Sequence, residues 1–322
     1  MDTPHNTVRS ENSVLEKLAF ETLAELRRSR RWRIALSLGW LSIFFLMLFA
    51  VMGWFGGKRE GGSLGKHTSL VELKGVISAD SKSSADKIIG ALQQAFKDKN
   101  TQGVVLRINS PGGSPVQAGY INDEIKRLRA KYNEIPFYVV VQDVCASGGY
   151  YVAAAADKIF VDKASIVGSI GVLIDGFGFT GAMEKLGVER RLITAGQNKG
   201  FLDPFSPANA EQQKLASQMV AEIHQQFIKV VKDGRGKRLK ETPDMFSGLV
   251  WSGEKSIELG LADGLGSLDY VAREIIKAEQ VVDYTPDDTF SEQLARKLGA
   301  SAAETIWSKM LSPTPTGGNP IR

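Results

Sequence analysis

The sequence predicts an α/β domain with a largely parallel sheet and surrounding helices, preceded by one transmembrane helix. Two observations predict this organisation. An uncharged run of 22 residues lies near the N-terminus, and after it Val/Ile/Leu-rich runs alternate with amphipathic stretches. Continuous apolar strands followed by helices are typical of a parallel sheet that helices bury on its faces. With 322 residues, 43% of them hydrophobic, the chain can also bury a sizeable core.

The uncharged run covers residues 34–55, with the sequence IALSLGWLSIFFLMLFAVMGWF. At about 1.5 Å per residue, it is long enough for a helix across a hydrocarbon core of roughly 30 Å. Arginines crowd its N-terminal side between Arg27 and Arg33, so the positive-inside rule predicts that residues 1–33 are cytoplasmic and that the main domain is exported. A cleavable signal is the alternative, but the run is longer than a usual signal core and no small-x-small site follows it cleanly.

The rest of the chain divides into three further segments. Residues 56–68 include the run GGKREGGSLGKH, whose glycines and charges are typical of a flexible linker. Residues 69–278 form the predicted folded domain, and residues 279–322 are predicted to hold a helix at 291–311 and a disordered tail. Inside the domain, the predicted strands are LVELKGVI, GVVLRIN, PFYVVVQ, KIFVD, IGVLI and ERRLITAG.

Composition excludes several classes of function. The formal net charge is +4, and residues 1–59, with nine Lys/Arg and five Asp/Glu, account for all of it. The rest of the chain holds 31 Lys/Arg and 31 Asp/Glu, so the folded domain is neutral overall. A neutral domain argues against nucleic-acid binding, which needs positive charge on the folded part. One cysteine, Cys145, excludes an intrachain disulfide, and three scattered histidines do not predict a metal site.

Two glycine-rich motifs follow predicted strands, at the edge where open α/β sheets bind ligands. RINSPGG ends at Gly113, and a Pro-Gly-Gly turn lets backbone N–H groups approach a ligand, as one half of an oxyanion hole does. ASGGYYVAAAA places Ser147 at a strand-to-helix corner, which would expose its hydroxyl and turn the N–H groups of Gly148 and Gly149 toward an anion. Taken singly, the first is also an ordinary tight turn and Ser147 an ordinary N-cap.

A serine nucleophile needs a base, and the histidines do not supply one. His5 lies in the cytoplasmic segment, His67 in the linker, and His224 in an amphipathic helix where a partly buried packing role is expected. A Ser–His–Asp triad is therefore not predicted, and a lysine is the expected base. A lysine acts in this way only when it is desolvated beside the serine and has its own hydrogen-bond partner.

Lys199 is the best candidate because it lies in a loop after the last predicted strand, among glycines and apolar residues. Most loop lysines are solvated, so this pattern is also compatible with a surface residue. Cys145 could be proposed as a rival nucleophile, but a small core residue is the better interpretation. Ser169, in an apolar run, needs a polar partner if it is buried, and a catalytic lysine would be one.

In order along the chain, NSPGG, ASGGYYVAAAADKI, IVGSIGV, TAGQNKGFLDPFSP and SGEKSIELGLADGLGSLD resemble the signal peptide peptidase A (SppA) family, in its short single-copy bacterial form. The resemblance implies a crotonase/ClpP-like fold and a dome-shaped homo-oligomer. It implies that Ser147 is the nucleophile, Lys199 the general base and Ser169 the residue that orients the lysine. The implied oxyanion donors are the backbone N–H groups of Gly112 or Gly113 and of Gly148.

The expected function is a membrane-bound serine endopeptidase at the outer face of the bacterial inner membrane, with its catalytic domain in the periplasm or another extracytoplasmic space. By resemblance, its substrates are cleaved signal peptides and other apolar peptides, and no metal or organic cofactor is implied. Three alternatives stay open: a crotonase-like acyl-CoA enzyme, a non-catalytic membrane scaffold and a SohB-like peptidase with the same chemistry. The C-terminal segment could dock on the domain, mediate assembly or rest on the membrane surface, and its mixed charges favour docking or assembly.

Overall fold

The computed structural model describes residues 32–33, 36–48 and 65–286. Residues 36–48 are helical with exposed apolar side chains, and they lie inside the predicted transmembrane segment, whose residues 34–35 and 49–55 are outside the described residues. Among the helices that are described, none combines the length and the apolar character needed to cross a membrane. The transmembrane helix therefore stays a prediction. Residues 1–31, 49–64 and 287–322, which include the predicted helix at 291–311, also lie outside the described residues.

Residues 65–286 form an α/β domain around one eight-stranded sheet. The strands are β1 His67–Lys74, β2 Thr101–Ser110, β3 Phe137–Ala146, β4 Lys158–Val161, β5 Ile166–Gly168, β6 Val250–Ser252, β7 Gly264–Leu265 and β8 Val281–Asp283. The strand order is β6-β5-β3-β2-β1-β8, with β4 beside β3 and β7 beside β4. Every pairing is parallel except that of β5 with β6. The predicted α/β class with a mainly parallel sheet is confirmed.

Helices connect most of the strands. They are α1 Ala85–Lys97, α2 Pro115–Lys131, α3 Gly148–Ala153, α4 Thr180–Lys185, α5 Ala210–Arg235, α6 Gly253–Glu258 and α7 Leu268–Tyr270. A short 3₁₀ turn, Gly236–Arg238, follows α5, and a π-helical turn, Val271–Ile276, follows α7. Helix α2 begins with Ser114 as N-cap, whose hydroxyl accepts from Gln117 N–H, and with Pro115 at its first position. Both residues suit a helix start, and they make α2 begin directly after the Pro-Gly-Gly turn.

The sheet is buried on both faces over its central strands. One face carries the main core, which includes Val71, Leu106 and Val139 and packs against helices α1, α2 and α3. The opposite face carries a smaller apolar cluster: Leu70, Val105, Val140, Phe160 and Val271. Neighbouring positions of each strand are therefore both buried, which explains why the strands appear in the sequence as continuous apolar runs and not as alternating ones.

Two predicted strands are wrong. Residues 170–174 and 189–196 have no strand pairing, and the strand in this region is β5, just before the first of them. Ile170 is buried in the core, but most of the apolar side chains after it are exposed, with Leu173 at 78% and Ile193 at 96%. An apolar run becomes a strand only where a neighbouring strand takes up its backbone hydrogen bonds. The single chain offers no such neighbour for these residues.

The predicted domain boundaries also shift. Strand β1 begins at His67, so the linker predicted for 56–68 ends two residues earlier than expected, and His67 is fully buried. At the other end, β8 pairs in parallel with β1 beyond the predicted boundary at residue 278. The sequence pattern missed β8 because three residues are too few to give a recognisable period.

Candidate active site

The carboxyl ends of β2, β3 and β5 meet at one edge of the sheet, and most of the predicted site residues lie there. Ser110 ends β2, Ala146 ends β3 and Gly168 ends β5. The pairing of β3 with β5 sets Ala146 opposite Gly168. This is the edge at which open α/β sheets bind ligands.

Ser147 occupies a tight corner between β3 and α3. Its backbone has φ 51° and ψ −124°, and a positive φ is uncommon for a residue other than glycine. The corner is fixed on both sides, because Ser147 N–H donates to Gly168 C=O at 2.8 Å and Ser147 C=O accepts from Tyr151 N–H at 2.9 Å. The residue is half-buried, and no described residue is hydrogen-bonded to its hydroxyl. Backbone strain that neighbouring hydrogen bonds maintain is typical of a functional position.

The Pro-Gly-Gly turn after β2 packs directly against this corner. Gly112 has φ +101°, and a β-carbon built on it would fall 2.7 Å from Ser147 Cβ and 2.6 Å from Gly148 N. Gly113 has φ +145°, and a β-carbon there would fall 2.2 Å from Ile77 O. Ile77 fixes the turn through two backbone bonds of 2.8 Å, to Gly112 O and from Ser114 N. Only glycine satisfies both the backbone angles and the space at these positions.

The hydrogen bonds distinguish the three predicted oxyanion donors. Gly112 is buried, and its N–H already donates to Ser110 Oγ at 3.1 Å. Gly113 is exposed, and neither its N–H nor that of Gly148 has an acceptor among residues 65–286. A β-carbon built on Gly148 would lie 3.3 Å from Gly113 N, so the two residues lie against each other beside Ser147. Gly113 and Gly148 are therefore the pair free to bind an anion, and Gly112 serves in close packing.

Ser169 lies beside Ser147, one residue after β5. It too has a positive φ, 49°, and its N–H donates to Leu249 O at 2.7 Å. The preceding carbonyl, of Gly168, is the one that accepts from Ser147 N–H. Ser169 is half-buried, and its hydroxyl has no partner among the described residues. The structure thus places two serines with strained backbones at adjacent strand ends.

Lys199 is not part of this cluster in the single chain. It lies in a turn, where its N–H donates to Gly196 O at 3.1 Å, and its side chain is exposed. In the described part of the chain, no hydrogen bond or ion pair joins its ammonium group to Ser147, to Ser169 or to any other residue. The expectation of a buried lysine with its own partner is therefore not met in the single chain.

Lys199 belongs to residues 172–206, which we call the lysine segment. The segment holds a large share of the exposed apolar side chains of the domain: Leu173, Ile174, Phe177, Phe179, Leu186, Val188, Leu192, Ile193, Phe201, Leu202 and Phe205. It is nevertheless organised internally, since Phe179 stacks on Phe205 with ring centroids 5.4 Å apart. Hydrogen bonds from Arg190 and Ser206 lower the pKa of Asp203 to about 2. An ordered segment with this much exposed apolar surface is typical of an interaction surface.

The remaining candidates take structural positions. Cys145 is fully buried in β3, and burial raises the pKa of its thiol, so the predicted core role is confirmed. His224 is half-buried on α5 as predicted, and its Nε2 lies 3.1 Å from Ile170 O. His67 is not in a linker but in β1, with its ring stacked on that of Tyr284. Across residues 65–286 and the short N-terminal stretches described, no group of three or more His, Cys, Asp or Glu could hold a metal ion.

Sequence reasoning missed one residue of this region, Ser110. Its side chain is fully buried between the Pro-Gly-Gly turn and the end of β1. In the sequence it is an ordinary serine at a strand end, and only its position in the NSPGG string associates it with the site.

Comparison with known proteins assigns the family. Peptidase family S49 matches residues 129–282. A putative signal peptide peptidase SppA from Enterococcus faecium is 30% identical over 234 residues, which cover 70% of this chain and 67% of that protein. The chain belongs to peptidase family S49. This family consists of serine-type peptidases, so the predicted family and the predicted enzyme class are confirmed at that level.

Other relatives of this S49 chain carry different names. A protein named probable protease SohB, from Haemophilus influenzae, is 28% identical over 236 residues, which cover 73% of this chain and 65% of that protein. A protein named Na(+)/H(+) antiporter NhaA, from Brucella melitensis, is 46% identical over 204 residues. That match covers 62% of this chain but only 28% of the Brucella protein. The antiporter name therefore describes a protein of which this chain matches about a quarter.

Proposed function

We propose that this S49 chain is a membrane-anchored serine endopeptidase that cleaves apolar peptides, with Ser147 as nucleophile and Lys199 as general base. The observation that carries the proposal is the corner at Ser147. A half-buried serine with a free hydroxyl lies beside the two unpaired N–H groups of Gly113 and Gly148. A nucleophile next to two convergent N–H donors is the arrangement that acyl transfer requires.

The chemistry follows from these groups. The neutral amine of Lys199 removes the proton of Ser147 Oγ as the oxygen attacks a peptide carbonyl. The carbonyl oxygen becomes an oxyanion, and the N–H groups of Gly113 and Gly148 stabilise its charge. The lysine ammonium then gives its proton to the leaving amine, and an acyl-enzyme remains on Ser147. Water, deprotonated by the same lysine, hydrolyses this ester and restores the serine.

Ser169 fits the role of orienting the lysine. It lies at the strand end next to Ser147, and its hydroxyl is unpaired among the described residues. A hydroxyl in this position would accept from the lysine ammonium and donate to its neutral amine.

The parallel-dominated sheet also supports the crotonase/ClpP-like fold that the family resemblance implies.

Assembly would supply the burial that Lys199 needs. The lysine segment exposes apolar side chains around Lys199, and a second copy of the chain packed on it would remove both the apolar surface and the lysine from water. We therefore infer that the active form is a homo-oligomer. Lys199 then serves Ser147 either of its own subunit or of the neighbouring one.

The membrane location rests on residues 34–55. The described part of this run, 36–48, is helical and apolar, and arginines precede it while the neutral domain follows. We propose that this helix holds the domain at the outer face of the inner membrane. Apolar peptides, such as cleaved signal peptides, concentrate at that surface. The relative named signal peptide peptidase SppA supports this substrate class.

The test is peptidase activity of the full chain in mild detergent, measured on an apolar fluorogenic peptide. Ser147→Ala and Lys199→Ala should each lower kcat by at least about 1,000-fold while the protein stays folded and assembled. Lys185→Ala is the matched control, because Lys185 is an exposed lysine of the same segment. Near-full activity of Lys199→Ala would move the base elsewhere. A folded parent that cleaves nothing would favour a non-catalytic scaffold.

A further inference from the structure

Ser110 joins the three pieces of backbone that build the anion site. Its side chain is fully buried at the end of β2, and its hydroxyl makes two hydrogen bonds. It donates to Gly75 C=O at 2.6 Å, which ties it to the segment after β1. It accepts from Gly112 N–H at 3.1 Å, which ties it to the Pro-Gly-Gly turn.

Ser110 also packs against the helix that follows the nucleophile. A β-carbon built on Gly149 would fall 3.1 Å from Ser110 O and 3.4 Å from Ser110 Cβ. The same residue therefore contacts α3, which carries the N–H of Gly148, and the turn that carries the N–H of Gly113.

The hydrogen bond from Gly112 N–H to Ser110 Oγ also affects the direction of the next N–H along the chain, that of Gly113. With Gly112 N–H bound to Ser110 Oγ and Gly112 C=O bound to Ile77 N–H, the peptide planes around Gly112 are held at both ends. The next N–H, that of Gly113, is then left exposed and without an acceptor. Without the Ser110 hydroxyl, the Gly112 N–H would lose its acceptor, and only the two backbone bonds of Ile77 would hold a turn whose glycines have broad backbone freedom.

We propose that Ser110 is a positioning residue of the peptidase, which fixes the Gly113 N–H in the direction that the oxyanion will occupy. The inference rests on the proposed function for its effect on catalysis. The hydroxyl does not touch the substrate; it acts through the Pro-Gly-Gly turn. Since donors stabilise a transition state only when they are held in place beforehand, loosening the turn should affect kcat far more than KM.

The experiment compares Ser110→Ala, Ser110→Cys and Ser256→Ala in the full chain. Ser256 is the matched control, because it is also fully buried and donates to a backbone carbonyl, that of Gly253, at 2.6 Å, but it lies on α6. Ser110→Ala should lower kcat by about 10- to 100-fold and change KM by less than about threefold. Ser110→Cys keeps a weak donor of similar shape and should fall between Ser110→Ala and the parent. Ser256→Ala should keep the parent's kcat.

Amide hydrogen exchange with single-residue resolution tests the same inference without any activity. Loss of the acceptor in Ser110→Ala should speed exchange of the Gly112 amide by about fivefold or more, and Ser256→Ala should leave it unchanged. Unchanged exchange at Gly112, or a kcat of Ser110→Ala within twofold of the parent, would overturn the role of Ser110. An inactive parent with accelerated Gly112 exchange in Ser110→Ala would instead refute the peptidase and leave the structural role of Ser110 standing.

Discussion

Gly112 lies so close to Ser147 that a β-carbon on the glycine would fall 2.7 Å from the β-carbon of the serine. Real β-carbons do not approach other atoms this closely, so the turn and the nucleophile corner fit together only without a side chain at position 112. The same virtual atom would lie 2.6 Å from Gly148 N, one of the two free N–H groups. The shape of the anion site thus depends on this one contact.

Gly112→Ala should therefore abolish activity, by at least about 100-fold in kcat, because both the contact and the positive φ would push the turn away from Ser147. The measurement is kcat on the fluorogenic peptide. Gly119→Ala is the control: Gly119 lies within α2 with open space around it, and alanine there should stabilise the helix by about 0.5–1 kcal/mol. Equal activities of the two variants would refute the tight fit.

Asp263→Asn should destabilise the domain by about 3 kcal/mol at pH 7, because it leaves the buried Arg235 guanidinium without its counter-charge. Asp263 accepts from Arg235 Nη1 and from Ile159 N–H, at 2.8 and 2.7 Å. The measurement is the free energy of unfolding in denaturant. Asp233→Asn removes an exposed ion pair with Lys229 and should cost less than about 0.5 kcal/mol.

The pH dependence of the same pair has a defined sign. Burial alone would raise the pKa of Asp263, but the hydrogen bond and charge of Arg235 outweigh it and hold the pKa below its usual 3.8. The folded state then binds the proton less readily than the unfolded state does. The stabilisation by Asp263 is therefore complete above pH 3.8 and is lost as the pH falls further. The stability difference between the parent and Asp263→Asn should shrink at pH 3, and a constant difference from pH 7 to pH 3 would contradict this.

Ile193→Asp should break the proposed assembly. Ile193 is the most exposed apolar side chain of the lysine segment, at 96%, and a carboxylate at this position cannot be buried against a second copy without a large cost. We expect a smaller particle in light scattering and at least about a tenfold loss of kcat. Leu265→Asp makes the same kind of change at an exposed position outside the segment and should alter neither quantity. An unchanged particle size for Ile193→Asp would remove this segment from the interface.

Cys145→Ala should retain near-parent kcat, and the native thiol should resist alkylation by iodoacetamide. Cys145 is fully buried, and its raised pKa leaves almost no thiolate, the form that reacts. The measurements are kcat for the variant and mass spectrometry of the alkylated native parent. Rapid labelling accompanied by loss of activity would restore the thiol as a candidate nucleophile.

The sequence by itself determined the α/β class, the family and the corner at Ser147. Continuous apolar runs such as GVVLRIN have few alternatives to a buried parallel strand, and a serine before two glycines at a predicted strand end indicates a strand-to-helix corner. These features depend on residues that are adjacent in the chain. For that reason a pattern of neighbours could predict them.

Only the tertiary structure decided which residues come together across segments. It assigned the free N–H groups to Gly113 and Gly148, because Ser110 from the end of β2 already binds Gly112 N–H. It showed that the apolar runs at 170–174 and 189–196 are not strands, since no neighbouring strand pairs with them. It left Lys199 exposed, with no partner for its ammonium group among the described residues. Burial and hydrogen-bond partnership depend on distant parts of the fold, and periodicity along the chain carries no information about them.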